Sequence, residues 1–181
     1  METIRFRHAH FTARFPVDCR YSPAHCWMRS VPADDTGGAR IWRVGFTKFA
    51  TRMLGELVEM TLSVAPGQAV RPGDRIGTVE GFKAVSDLFS VIDGTFRVAN
   101  PAIASEACLT HSDPYGEGWL YEAHGQPEPG DLDVHGYIAL LTETIDRLQA
   151  SRYSDHGPEN PDGEPLPEAV PEGMPEEESD P

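Results

Sequence analysis

The run Arg75-Ile-Gly-Thr-Val-Glu80-Gly-Phe-Lys83-Ala-Val-Ser-Asp87-Leu-Phe-Ser-Val-Ile92 reads as two short strands joined by a tight connection, with Lys83 at its tip. The turn Pro72-Gly73-Asp74 introduces a strand over Arg75 to Val79. A second strand is expected over Leu88 to Ile92, then a turn at Asp93-Gly94 and a strand over Thr95 to Val98. Upstream, Ile41 to Gly45 and Leu57 to Val64 carry strand composition, the latter closed by Pro66-Gly67. Many short strands at this spacing predict a β-sandwich or barrel.

Helices flank this β region. Thr47 is placed to cap a short helix over Lys48 to Leu54, with Phe49, Ala50, Met53 and Leu54 on one face and Gly55 at its end. Beyond the Pro- and Gly-rich linker from Gly125 to Gly130, Val134, Ile138, Leu141, Ile145 and Leu148 form one apolar stripe of a terminal helix that should pack on a sheet. At the start of the chain, Ile4 and Phe6 alternate with Thr3, Arg5 and Arg7. That alternation reads as an edge strand, although Arg5, Arg7 and Arg14 would also suit a transit peptide.

Charge narrows the function classes. The 181-residue chain has a net charge of −14, which argues against nucleic acid as a partner because phosphate binding needs Lys and Arg. Residues 151–181 hold ten acidic residues, one basic residue and seven of the sixteen prolines. Such a segment cannot repay the entropy of ordering, so it is expected to be a disordered tail. Three cysteines, Cys19, Cys26 and Cys108, with no C-x-x-C pair, suggest neither a disulfide framework nor a zinc site. His8 and His10 have no third metal ligand in sequence reach, and no P-loop or G-x-S-x-G pattern is present. No apolar run approaches the ~20 residues of a membrane span. A cytoplasmic bacterial protein is expected.

The chemistry rests on a scarcity. Thirteen arginines accompany only two lysines, Lys48 and Lys83. Lys48 lies in the first turn of the short helix and is expected to be solvated. Lys83 is expected at a hairpin tip, which would make it exposed, rigidly supported and approachable from several sides, as a modified lysine must be; on periodicity alone it reads as an ordinary surface lysine.

Glu80-Gly-Phe-Lys83-Ala-Val-Ser-Asp87 resembles the lipoylation segment of the glycine-cleavage H-proteins, E-S-V-K-A-A-S-D. Asp113-Pro-Tyr-Gly-Glu-Gly-Trp119-Leu is similar, residue for residue, to the family signature D-P-Y-G-E-G-W-L. Gly45-Phe-Thr47, Ala50 and Leu54-Gly-Glu-Leu-Val58 resemble G-I-T…A…L-G-D-I-V, and Tyr21, His25 and Trp27 resemble Y-x-x-x-H-x-W. These matches run in order from Tyr21 to Leu120. Biotin carriers differ, with Met on both sides of the lysine where Phe82 and Ala84 stand here.

The resemblance implies a mainly β fold with flanking helices. It would be a lipoyl-type barrel-sandwich hybrid of two small antiparallel sheets, with the lysine at a hairpin tip and a C-terminal helix. It further implies a domain over 21–150 between an N-terminal extension, 1–20, and the tail, 151–181. Lipoate would be attached covalently to Lys83, with Glu80, Phe82, Ala84, Asp87 and His25 around it.

Such a protein is a carrier and not an enzyme. Its implied partners are a lipoate ligase or lipoyltransferase, glycine decarboxylase, the tetrahydrofolate-dependent aminomethyltransferase, and dihydrolipoyl dehydrogenase. Between them it would shuttle an aminomethyl group. Several departures (Gly81 and Phe82 for Ser and Val, Cys26 for Glu, Val91 for Pro) suggest a specialised paralogue. The alternative is therefore a lipoate-binding protein that carries sulfur to a heterodisulfide-reductase-like complex.

Overall fold

The computed structural model describes residues 1–32 and 40–155, the last four by backbone alone. The chain opens with a hairpin of β1 (Thr3–His8) and β2 (Phe11–Pro16). Alternation sorts its faces: Phe6, Phe11, Ala13 and Phe15 are buried, while Arg5, Arg7 and Arg14 stay in solvent. The start of the chain is therefore one wall of a core.

Two antiparallel sheets build the body, as the resemblance implies. One has six strands, β3 (Arg20–Tyr21), β4 (Cys26–Val31), β5 (Ile41–Phe46), β11 (Tyr121–Pro127), β10 (Ile92–Ala99) and β7 (Ala69–Val70), in that spatial order. The other joins β6 (Leu57–Leu62), β8 (Arg75–Gly81) and β9 (Val85–Phe89). Met28, Val44, Ile92 and Tyr121 of the larger sheet meet Ile76, Val79 and Leu88 of the smaller in one buried cluster. Each such side chain contributes roughly 1.5–3 kcal/mol on leaving water. Neither sheet closes into a barrel, and the larger ends at both edges in two-residue strands that offer little to a stray partner.

The strand expected over Leu88–Ile92 is two strands. Val85 to Phe89 pairs with β8, and Ile92 already belongs to β10 in the other sheet. The chain crosses at Ser90-Val91, where the Tyr121 hydroxyl accepts from the Val91 N–H at 3.2 Å. The expected turn at Asp93-Gly94 is likewise ladder, paired with Gln126 and Gly125. Asp-Gly has turn composition, but here the glycine is needed for close approach. A Cβ on Gly94 would lie 1.9 Å from the His124 carbonyl oxygen.

Helix α1 (Lys48–Leu54) starts where expected, the Thr47 hydroxyl accepting from the Ala50 N–H. Its buried face is Phe49, Thr51 and Leu54; Met53 stands out in solvent. Two short helices, α2 (Pro101–Ser105) and α3 (Leu109–Ser112), lead into Asp113. The signature that follows is a structural clamp. The Asp113 carboxylate accepts from the Glu117 N–H at 2.9 Å, and the Pro114 carbonyl takes the Trp27 indole N–H at 2.8 Å. A Cβ on Gly45 would strike that indole at 2.6 Å, so the motifs around residues 27, 45 and 114 are three sides of one packing problem.

Helix α4 spans Val134–Asp155. Of its expected stripe Val134, Leu141 and Ile145 are buried and Ile138 is half-buried, while Leu148 stands in solvent; Tyr137 is buried too and stacks on Tyr21 with ring centroids 4.7 Å apart. The partners are the N-terminal hairpin, Tyr21, Trp27 and Phe49. Two compact units divide the chain, Met1–Ile145 and Asp146–Pro181. The first holds every sheet and the site below. The described part of the second, to Asp155, is helical, and the expected tail otherwise lies outside the described residues. No helix among the described residues is long and apolar enough to cross a membrane.

Candidate lysine attachment site

The β8–β9 connection is three residues, Phe82, Lys83 and Ala84, all exposed. A short hairpin tip would ordinarily leave its amides to water. Here the end of α1 and the turn after it take them: the Lys83 N–H donates to the Leu54 carbonyl at 3.0 Å and the Phe82 N–H to the Glu56 carbonyl at 3.1 Å. The terminal carbonyls of a helix need such donors and carry the negative end of its dipole. The Lys83 ammonium adds a third contact, donating to the Arg52 carbonyl at 3.3 Å. Helix end and lysine tip therefore complete each other.

Two glycines let the elements meet. Gly55 has φ of +85°, and a Cβ there would sit 3.0 Å from the Lys83 nitrogen. A Cβ on Gly81 would lie 2.4 Å from the Leu54 oxygen. The departure from serine at Gly81 thus has a local steric cause. Phe82 is 77% exposed, a large apolar ring in water beside the lysine.

The expected site residues do not all reach one cleft. Ala84, Asp87 and His25 line one cleft of about 480 Å³ with Phe49, Met53 and Leu88. Glu80 does not line it and stands cross-strand from Val85 and Glu59. Asp87 is ion-paired with Arg75 at 2.6 Å, a partner that sequence spacing did not suggest.

His25 lies in the left-handed region, φ +62°, held by its N–H to the Ser22 carbonyl and by its carbonyl to the Thr47 N–H. Its ring packs on Phe49 with centroids 4.6 Å apart, and Nδ1 meets the Tyr137 hydroxyl at 3.0 Å. Desolvation by burial pulls its pKa down to about 4, so the imidazole is neutral at ordinary pH.

Lys48 is not the solvated side chain expected. Its ammonium donates to the His111 carbonyl at 2.6 Å, and partial burial lowers its pKa. Cys26 is buried, and desolvation raises its thiol to about 12, far from thiolate reactivity at neutral pH. It fills the core where the family commonly has an acid. Sequence reasoning missed Tyr137, Arg52 and Glu56. The first is an aromatic beside the helical stripe, and the other two act through backbone carbonyls, which no side-chain motif reports.

A lysine held out on a hairpin and buttressed from behind by a helix end is the arrangement of a carrier domain. The family profile described as Glycine cleavage H-protein matches residues 19–131. The glycine cleavage system H protein of Corynebacterium aurimucosum is 39% identical over 120 residues, spanning 66% of this chain and 89% of that one. Its counterpart in Thermosynechococcus vestitus is 36% identical over 131 residues, spanning 72% and 97%. The crystal structure of a glycine cleavage system H protein from Mycobacterium marinum superposes with a TM-score of 0.60 at 33% identity, covering 69% of this chain and 97% of that one. The chain belongs to the glycine cleavage H-protein family, whose members are lipoyl carriers with lipoate joined covalently to a lysine.

Proposed function

We propose that Lys83 is the lipoylated residue and that the protein shuttles an aminomethyl group between glycine decarboxylase and the tetrahydrofolate-dependent aminomethyltransferase. In this reading dihydrolipoyl dehydrogenase resets the carrier, a lipoate ligase or lipoyltransferase loads it, and all of this takes place in the cytoplasm. One observation carries the assignment: of the two lysines, Lys83 is exposed on a clamped tip, its ammonium bond to the Arg52 carbonyl open to solvent, while Lys48 is part-buried against the His111 carbonyl. Bound at Lys83, lipoate would supply a flexible arm on the order of 12–14 Å long, ending in a disulfide that can be reduced to a dithiol.

The chain's own residues supply position. Leu54 and Glu56 hold the tip through their carbonyls, so the attachment point is fixed while the side chain beyond it stays exposed. Holding one end of a mobile arm keeps its far end at high effective concentration around each docked enzyme. Ala84, His25 and the apolar wall of Phe49 and Met53 offer that arm a resting cleft. Glu80, outside that cleft, and the exposed Phe82 are left for the modifying enzyme to read.

The sulfur-carrying alternative is not favoured, because two of the departures that raised it, Gly81 and Cys26, have local causes. Gly81 is required by the approach of Leu54, and Cys26 fills the core.

Lys83→Arg keeps the charge but offers no amine that a ligase could acylate. Intact mass and peptide mapping of protein expressed with lipoate should show one lipoyl group on Lys83 in the wild type and none in the variant. A lipoyl group on Lys48 would overturn the assignment.

A further inference from the structure

Thr47, Tyr137 and His25 form a chain of hydrogen bonds whose direction is fixed by counting protons. The Thr47 hydroxyl lies 2.8 Å from the Tyr137 hydroxyl, which lies 3.0 Å from His25 Nδ1. Thr47 and Tyr137 are both 0% exposed, so neither hydroxyl proton can be left to water. Thr47 Oγ1 already accepts from the Ala50 N–H as the cap of α1, and its one acceptor neighbour is Tyr137. The Thr47 proton therefore points at Tyr137. The Tyr137 proton, displaced from that link, points at His25. Nδ1 is thus an acceptor, and the neutral imidazole carries its proton on Nε2. The opposite order would strand a buried hydroxyl proton with no acceptor.

Nε2 meets no protein partner among the described residues and is not a buried atom. It belongs to a side chain lining the cleft beside the Lys83 tip. The other polar side chains there are engaged. Asp87 is paired with Arg75, the Ser86 hydroxyl donates to the Asp87 carbonyl, and Cys26 is buried. The rest of the wall is apolar. The left-handed backbone of His25 is the kind of local strain kept where a ring must be aimed.

We infer that Tyr137 is a positioning residue that locks His25 as the Nε2–H tautomer, giving an otherwise apolar cleft one neutral hydrogen-bond donor for an acceptor, a carbonyl oxygen or sulfur, of the group borne on Lys83. The ligand half rests on the lipoylation of Lys83; the tautomer half does not.

Imidazole ¹⁵N NMR of the full chain, unmodified and lipoylated, tests both halves. In unmodified wild type, Nδ1 should resonate as the bare nitrogen and Nε2 as the protonated one from pH 6 to 8. A protonated Nδ1 would overturn the inference. Lipoylation, checked by mass on the same sample, should shift Nε2 while leaving Nδ1 in place. An unmoved Nε2 in protein that is lipoylated on Lys83 would overturn the donor role. Absence of the lipoyl mass would instead fault the attachment assignment and leave the tautomer result standing. Tyr137→Phe should turn the single tautomer into a mixture, a change that loss of packing alone would not produce. Should that variant fail to fold, the wild-type spectra still decide both points.

Discussion

The backbone N–H of Lys83 donates to the carbonyl of Leu54 at 3.0 Å, so the proposed carrier lysine is also the cap of helix α1. This couples two segments that lie 29 positions apart, by their numbers, in the chain. It explains why the L-G-E-L-V match and the lysine match occur together. Leu54 supplies the acceptor, Gly55 the clearance, and Glu56 the second acceptor. A lysine on a free hairpin would wander with the tip; here the backbone of the tip is held.

Gly55→Ala tests that coupling. The substitution meets both a positive φ of +85° and the Lys83 nitrogen at 3.0 Å, and should cost about 1–2 kcal/mol. Thermal denaturation should show Tm lower by roughly 3–6 °C. Lipoylation should slow as well, because the tip shifts away from the helix end. An unchanged Tm with unchanged lipoylation would mean that the contact carries neither stability nor presentation.

Much of this was legible in the sequence. The cap at Thr47, the end at Gly55 and the tip at Lys83 followed from local chemistry that acts within a few residues. The resemblance supplied the pairing of two sheets, which local periodicity could not. Where the reading failed, a distant partner was responsible. Asp93-Gly94 has turn composition, yet the approach of His124 and Gly125 makes it strand. Lys48 looked solvated until His111 came beneath it. Tyr137 and His25 lie 112 positions apart and meet only once α4 packs on the N-terminal core. No spacing rule reaches that far.

Glu80 gives a second prediction. Its carboxylate is exposed and faces Glu59 across the strand pair, an arrangement of like charges that β-sheets disfavour. Glu80→Gln should therefore leave stability unchanged or raise it by a few tenths of a kcal/mol. If the ligase uses this acid as a handle, the variant should be lipoylated more slowly at low salt, with the gap closing at high salt. Equal rates at low salt would make Glu80 a spectator and leave the hairpin shape as the recognised feature.

The last prediction concerns pH and His25. Its pKa falls from 6.5 to about 4 on folding because burial penalises the charged ring. Between those values the unfolded chain binds a proton that the folded chain refuses, so stability must fall as pH drops. The contribution is fully present above about 6.5 and is lost progressively as pH falls towards 4. By pH 5 the loss should be on the order of 1–2 kcal/mol, allowing for the partial exposure of the ring. Protonation would also turn Nδ1 into a donor and strand the Tyr137 hydroxyl proton, which pushes in the same direction. His25→Asn removes the titration while tolerating the left-handed backbone, since asparagine adopts positive φ more readily than most residues. Urea denaturation from pH 7.5 to 4.5 should show wild type losing more stability than His25→Asn, with the two curves diverging below pH 6.5. Parallel curves would mean that His25 titrates alike in the folded and unfolded chains, and that its burial beside Phe49 does not hold it neutral.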